Sequence, residues 1–178
     1  MNKLAALSLA ATGACALAKL TSNRPLEKIS KPIIVPALML SEPTRLRDPL
    51  FAIGGIGHFL GDLELMRDHA SLHKGAALFG LGHLAHIARA IKEGKKPKKP
   101  LWHLAALGVA APLVKDPRLI AYAALLATYS SLESPSSGAI FMLSDALIAI
   151  NRAYPRPYLD ASVLATYGVA QNFLYRSS

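Results

Sequence analysis

The placement of charge along the chain constrains its fold more than any other feature. Lys and Arg cluster at 19–31, 45–47, 89–99 and 115–118, and the stretches between are nearly uncharged. A soluble amphipathic helix carries charges every few residues along its outer face. Long uncharged stretches punctuated by basic clusters fit bilayer spans joined by short loops instead. Composition agrees: 52% of the 178 residues are apolar and only 17% charged, against roughly 25% in a typical soluble domain. Mean hydropathy is a modest +0.32, because Ala makes up much of the apolar count. The expectation is an all-α polytopic transmembrane bundle of about eight short helices, forming one integral membrane domain over 1–178.

The pattern predicts helices at 4–20, 32–41, 49–66, 71–91, 101–114, 118–132, 137–154 and 158–175. The connections are rich in Pro, Arg and Lys, as breakers between antiparallel helices should be. The segments at 32–41, 101–114 and 118–132 fall short of the ~20 residues that span a hydrocarbon core. The first of these reads as a half-helix, opening at Lys31-Pro32 and broken by Pro36 and Pro43. The N-terminal stretch reads as a retained first helix rather than a cleaved leader, since the rest of the chain is equally membrane-like. The net charge of +9 is concentrated in loops, above all Lys92–Lys99. That fits a loop touching anionic lipid headgroups and excludes a nucleic-acid surface, which would interleave aromatics with a basic stripe. With eight spans, ten Lys and Arg fall on each side, and the density of the 89–99 loop places both termini in the cytoplasm of a cell-membrane protein. Cys15 is the single cysteine, so no intrachain disulfide forms.

A charge within a span costs at least ~2.5–3.5 kcal/mol on insertion scales, so such residues are candidates for function. Asp145 stands halfway along the seventh segment with no basic residue within a turn. As a structural ion it needs a cation from another helix, and Lys31 is the candidate. His58 and Asp62 lie four apart on one helix face. His83 and His86 lie three apart on the next helix. Those two histidines with His58 and Asp62 form one potential metal set, although a buried His is more often hydrogen-bonded than metal-bound. Tyr167 and Gln171 share a face of the last segment, where they serve either a substrate or interhelical hydrogen bonding.

The ordered set Lys31-Pro32, Gly61-Asp62, His83, Gly138-Ala139-Ile140-Phe141 with Ser144-Asp145, and Tyr167 with Ala170-Gln171 resembles the YhhN-like lysoplasmalogenase family of integral membrane hydrolases. His58 and His86 depart from that family's pattern. The resemblance implies eight transmembrane helices. It also implies hydrolysis of the vinyl ether bond of lysoplasmalogens, giving a fatty aldehyde and a glycerophospho-alcohol.

The residues suit that chemistry. A vinyl ether hydrolyses by protonation on carbon, giving an oxocarbenium ion that water attacks. This needs an acid that keeps its proton near neutral pH and a second group that guides water. Two carboxyls in unlike surroundings divide those tasks. Asp62, Asp145 and His83 are the expected catalytic residues. Lys31, Ser144, Tyr167, Gln171 and His58 are the expected contacts to a lysophospholipid in the bilayer, with Lys31 meeting the phosphate or holding one Asp ionised. No metal or cofactor is required. The competing reading is a proton-coupled carrier or channel built on the same Asp and His residues.

Overall fold

Prolines and small polar caps divide the chain into helices. The computed structural model describes residues 2–98, 102, 104–105, 108, 116–132 and 135–176. Among the described residues all regular structure is helical. The α-helices are α1 (Lys3–Leu20), α2 (Arg24–Ser41), α3 (Pro49–Leu65), α4 (Leu72–Lys92), α5 (Pro117–Leu132), α6 (Pro135–Ala153) and α7 (Pro157–Arg176), with one 3-10 turn at Arg45–Arg47. Pro opens α3, α5, α6 and α7, where its missing N–H has no intrahelical partner to lose. The side chains of Asn2, Asn23, Asp48 and Ser71 each accept a backbone N–H at the start of a helix, satisfying one orphan donor apiece.

Six of the expected segments match these helices closely. The expected 101–114 lies outside the described residues apart from Trp102, Leu104, Ala105 and Gly108, which are helical. The expected half-helix 32–41 is corrected. It is the second half of α2, an 18-residue helix that begins at Arg24 and keeps Pro32 and Pro36 inside it. The Asn23 cap starts the helix within the basic cluster, well before Pro32. Each internal Pro removes one helical hydrogen bond, a loss that packing against α1 and α3 offsets.

Each helix packs against the next in the chain, α4 directly against α5, and α7 closes the ring onto α1 while also touching α2. One end of the bundle brings together Asn2 and Ser41 (3.1 Å), Arg45 and the Tyr175 carbonyl (2.5 Å), and Lys98 with the Ser131 carbonyl (2.6 Å). The opposite end holds the Lys19–Glu27 pair (2.8 Å), Arg24 on the Met66 carbonyl (2.8 Å), and His73 on Asp116 (2.5 Å). Lys98 and Asp116 therefore stand at opposite ends.

On α3 and α4 part of the usual soluble pattern is reversed, although aliphatic residues such as Ile34, Val35 and Leu38 of α2 are buried. On α3 the outer stripe is Ile53, Ile56 and Leu60, exposed by 53%, 50% and 41%, while His58 and Asp62 point inward at 0% and 3%. Leu81 and Leu84 face out from α4, whereas His83 and His86 are buried. Soluble proteins bury their aliphatic residues and rarely their ionisable ones. Glycines let α3 and α4 approach: a Cβ on Gly57 would sit 2.7 Å from the Gly82 backbone nitrogen, a small-residue contact common between membrane helices. One described helix, α1, is long and apolar enough to cross a membrane, with a mean hydropathy of 1.4. α3 and α5, at 17 and 16 residues, are shorter than α1.

Candidate functional site

The ring of helices encloses a polar spine. Near the Lys19–Glu27 end, α2 supplies Lys31, α3 supplies Asp62 and α7 supplies Tyr167. The Tyr167 hydroxyl donates to Asp62 Oδ2 at 2.6 Å, and Lys31 Nζ stands 3.7 Å from Oδ1. All three side chains are buried. Lys31 is thus the partner of Asp62, not of Asp145. One turn further along α7, the Gln171 amide reaches His58, its Nε2 lying 3.3 Å from His58 Nδ1. His58 Nε2 is then 3.2 Å from His83 Nδ1.

The donors in this series assign themselves. Tyr167 spends its one proton on Asp62. A Gln171 amide hydrogen goes to His58 Nδ1, which is therefore unprotonated. His58 carries its proton on Nε2 and donates to His83 Nδ1. His83 in turn carries its proton on Nε2, because a neutral imidazole bears one. That Nε2 is buried with no hydrogen-bond partner, as is Gln171 Oε1. The network therefore ends in an unsatisfied donor at mid-bundle, a placement that costs free energy unless a ligand or water meets it.

Asp145 lies on the other side of an aromatic cluster. Phe79, Phe141 and Tyr167 meet edge-on, with centroids 5.7–6.5 Å apart. Beyond them the Tyr122 phenol of α5 lies against the Asp145 carboxyl, and its ring is 5.6 Å from His83. Asp145 Oδ2 is shut off from solvent and has no hydrogen-bond partner. Asp62 and Asp145 share no partner among the described residues. Asp62 has a cation and a phenol to hold a negative charge, whereas Asp145 has a phenol alone.

The remaining expected residues have structural partners. Ser144 donates to the Val163 carbonyl at 3.0 Å, tying α6 to α7. His86 stacks flat on Tyr129, centroids 5.1 Å apart at 8°. Among the described residues no group of three or more His, Cys, Asp or Glu side chains is arranged to hold a metal ion. The ring nitrogens joining His58 and His83 are engaged with each other instead. Sequence reasoning missed Tyr122, Tyr175 and the pair Arg45 and Arg89. Arg89 was discoverable, since it continues the three-residue spacing of His83 and His86.

Outside the spine the charges lie at helix ends. Asp116, before α5, is held at a pKa of about 2 by the His73 side chain and the Arg118 amide. The Arg24 guanidinium and Lys28 hold Asp68 below its ordinary value. Comparison with family models, with curated proteins and with solved structures finds no match to this chain.

Proposed function

We propose that the chain is a polytopic membrane protein that hydrolyses the vinyl ether bond of lysoplasmalogens. The membrane assignment rests on the inverted faces of the helices. On α3 and α4 the exposed faces carry Ile53, Ile56, Leu60, Leu81 and Leu84, while a hydrogen-bonded His, Asp and Gln spine lies inside. Lipid tails solvate the first and the ring of helices satisfies the second.

The hydrolase assignment rests on one observation: two carboxyls in unlike surroundings, Asp62 beside a cation and Asp145 without one. Asp145, with a phenol and no cation, is the group suited to carry a proton. It delivers that proton to the β-carbon of the vinyl ether, leaving an oxocarbenium ion. Water adds to the cationic carbon and gives up a proton, and the hemiacetal collapses to an aldehyde and an alcohol. Asp62, held ionised by Lys31, stabilises the cation or takes the proton from water. The rings of Phe79 and Phe141 add quadrupole attraction for positive charge. No metal is needed in this sequence of steps.

The test is aldehyde release from a lysoplasmenyl lipid by purified protein. Asp145→Asn is expected to lower the rate by roughly 10²–10⁴, the range for a lost general acid. If wild type releases no more aldehyde than this variant across several headgroups, the substrate assignment is abandoned. The second reading, a proton-coupled carrier, is favoured by the length of the spine. The Gln171 amide weighs against it, because it donates to His58 without an ionisable proton to pass on and so interrupts proton hopping. Uptake driven by a pH gradient in proteoliposomes, without bond cleavage, would establish the carrier instead.

A further inference from the structure

Asp62 has a partner at each oxygen, and the residue before it has a neighbour that leaves no space for a side chain. Gly61 of α3 faces Phe79 of α4. A Cβ at Gly61 would stand 2.6 Å from Phe79 Cδ2, 2.6 Å from Cε2 and 3.0 Å from Cγ. Carbon atoms in contact settle roughly 3.5–4.0 Å apart, so an alanine would drive the ring back by about 1 Å. The ring has little freedom to retreat, being 6% exposed. Its other neighbours are the rings of His58 at 5.6 Å, Tyr167 at 5.9 Å and Phe141 at 6.5 Å, centroid to centroid. Tyr167 in turn gives its hydroxyl to Asp62 at 2.6 Å. The path from Gly61 through Phe79 and Tyr167 to Asp62 thus begins and ends on adjacent residues of one helix.

Close-packed interiors transmit such a displacement rather than absorb it. We propose that Gly61 is a positioning residue: the bare backbone there seats Phe79 against α3, and the seated ring sets where the Tyr167 hydroxyl meets Asp62. Gly75 offers the contrast. An added Cβ there also meets a carbon at 2.6 Å, Leu65 Cδ2, but its three nearest atoms all belong to that aliphatic side chain and none to a ring. The catalytic consequence rests on the vinyl ether reading, in which Asp62 steadies the oxocarbenium ion or takes a proton from water. A misplacement of about 1 Å costs roughly 10²-fold in rate. Gly61→Ala should therefore lower kcat for aldehyde release by roughly that factor with KM held within about twofold, the pattern of an interaction made in the transition state.

The experiment also reads the hydrogen bond directly, in the full chain in a non-ionic detergent. Tyrosine labelled with ¹³C at Cζ reports hydroxyl exchange in mixed H2O and D2O, and the Tyr167 signal is identified by its loss in Tyr167→Phe. In Gly61→Ala the Tyr167 hydroxyl should exchange roughly tenfold faster or more, the equivalent of one weakened hydrogen bond. Gly75→Ala should match wild type in both exchange and kcat. In the Phe79→Leu background, where a smaller side chain removes the obstacle, adding Gly61→Ala should change exchange and kcat no further. Phe79→Leu alone unseats the ring and should itself speed exchange, so it keeps the test open if Gly61→Ala fails to fold. The proposal is overturned if exchange in Gly61→Ala or in Phe79→Leu equals that of wild type, or if Gly75→Ala speeds it as much. It is equally overturned if Gly61→Ala acts as strongly in the Phe79→Leu background as in wild type, since the ring would then not carry the effect. A wild type that releases no aldehyde removes the vinyl ether reading, and the exchange rates alone then decide the role of Gly61.

Discussion

Replacing Lys31 by Met should destabilise the bundle more than any other change at the spine, and replacing Asp62 as well should restore much of the loss. Lys31 Nζ and Asp62 Oδ1 are 3.7 Å apart, with side chains 8% and 4% exposed. At an effective dielectric of about 20, two unit charges at that separation attract by about 4.5 kcal/mol. The screening that weakens surface ion pairs is absent here. Lys31→Met therefore leaves a buried carboxylate with one hydrogen bond, from Tyr167. The expected cost is about 3–5 kcal/mol, that of stranding one partner of a buried pair.

The reverse change is milder. In Asp62→Asn the amide oxygen still accepts from Tyr167, and the long Lys31 stem can carry its charge toward the nearby bundle end. The double variant Lys31→Met/Asp62→Asn holds no stranded charge and should fall within about 1–2 kcal/mol of wild type, since buried pairs are often replaceable by neutral groups. Unfolding of the detergent-solubilised protein, followed by helical signal against denaturant, reads all four corners of the cycle. The reasoning fails if the double variant is as unstable as the sum of the singles, because the two charges would then not interact.

The tautomer assignment predicts a spectroscopic change. In wild type the ¹⁵N shifts of His58 and His83 should both report Nε2–H, and Gln171→Glu, which presents an acceptor, should switch both to Nδ1–H; unchanged shifts would sink the proposed order of donors. Gly82→Ala places a methyl group 2.8 Å from the Gly54 carbonyl and should cost about 1–3 kcal/mol as overpacking, read as a lower Tm. Asp116 has a folded pKa of about 2 against an ordinary 3.8, through His73 and Arg118. Its contribution to stability is full above pH 3.8 and lost as pH falls toward 2. Asp116→Asn should flatten that part of the stability profile, and an identical acid limb in the variant would refute it.

Much of the helical layout was legible because its punctuation is local. Pro49, Pro117, Pro135 and Pro157 stand at helix starts, and a proline or a cap is read from a few neighbouring residues. The start of α2 was not legible for a related reason. Lys28, Lys31 and Pro32 read as the end of a loop, because a basic cluster before proline normally is one. The Asn23 cap starts the helix ahead of them, and what settles Lys31 inside it is nonlocal: Asp62 on α3 takes its charge. Hydropathy likewise marks His58, Asp62, His83 and Asp145 as expensive, since each pays a desolvation penalty wherever it goes. It is silent on Tyr122 and Tyr175, because a phenol enters an apolar span cheaply and reveals its importance only through what its hydroxyl meets.

The choice of partners lies beyond both kinds of signal. Asp62 and Asp145 each need a neighbour, and one cation, Lys31, was in sight for either. The ring decides between them. α7 packs on α1 and touches α2, which brings Tyr167 to a carboxyl 105 residues earlier in the chain, beside a lysine on the adjoining helix. Asp145, on α6, faces α5 instead and meets Tyr122. Residue cost thus states how many charges must be compensated, while closure of the helix ring determines which carboxyl receives the cation. That division leaves Asp62 and Asp145 in unlike surroundings, the condition that acid–base work by two carboxyls requires.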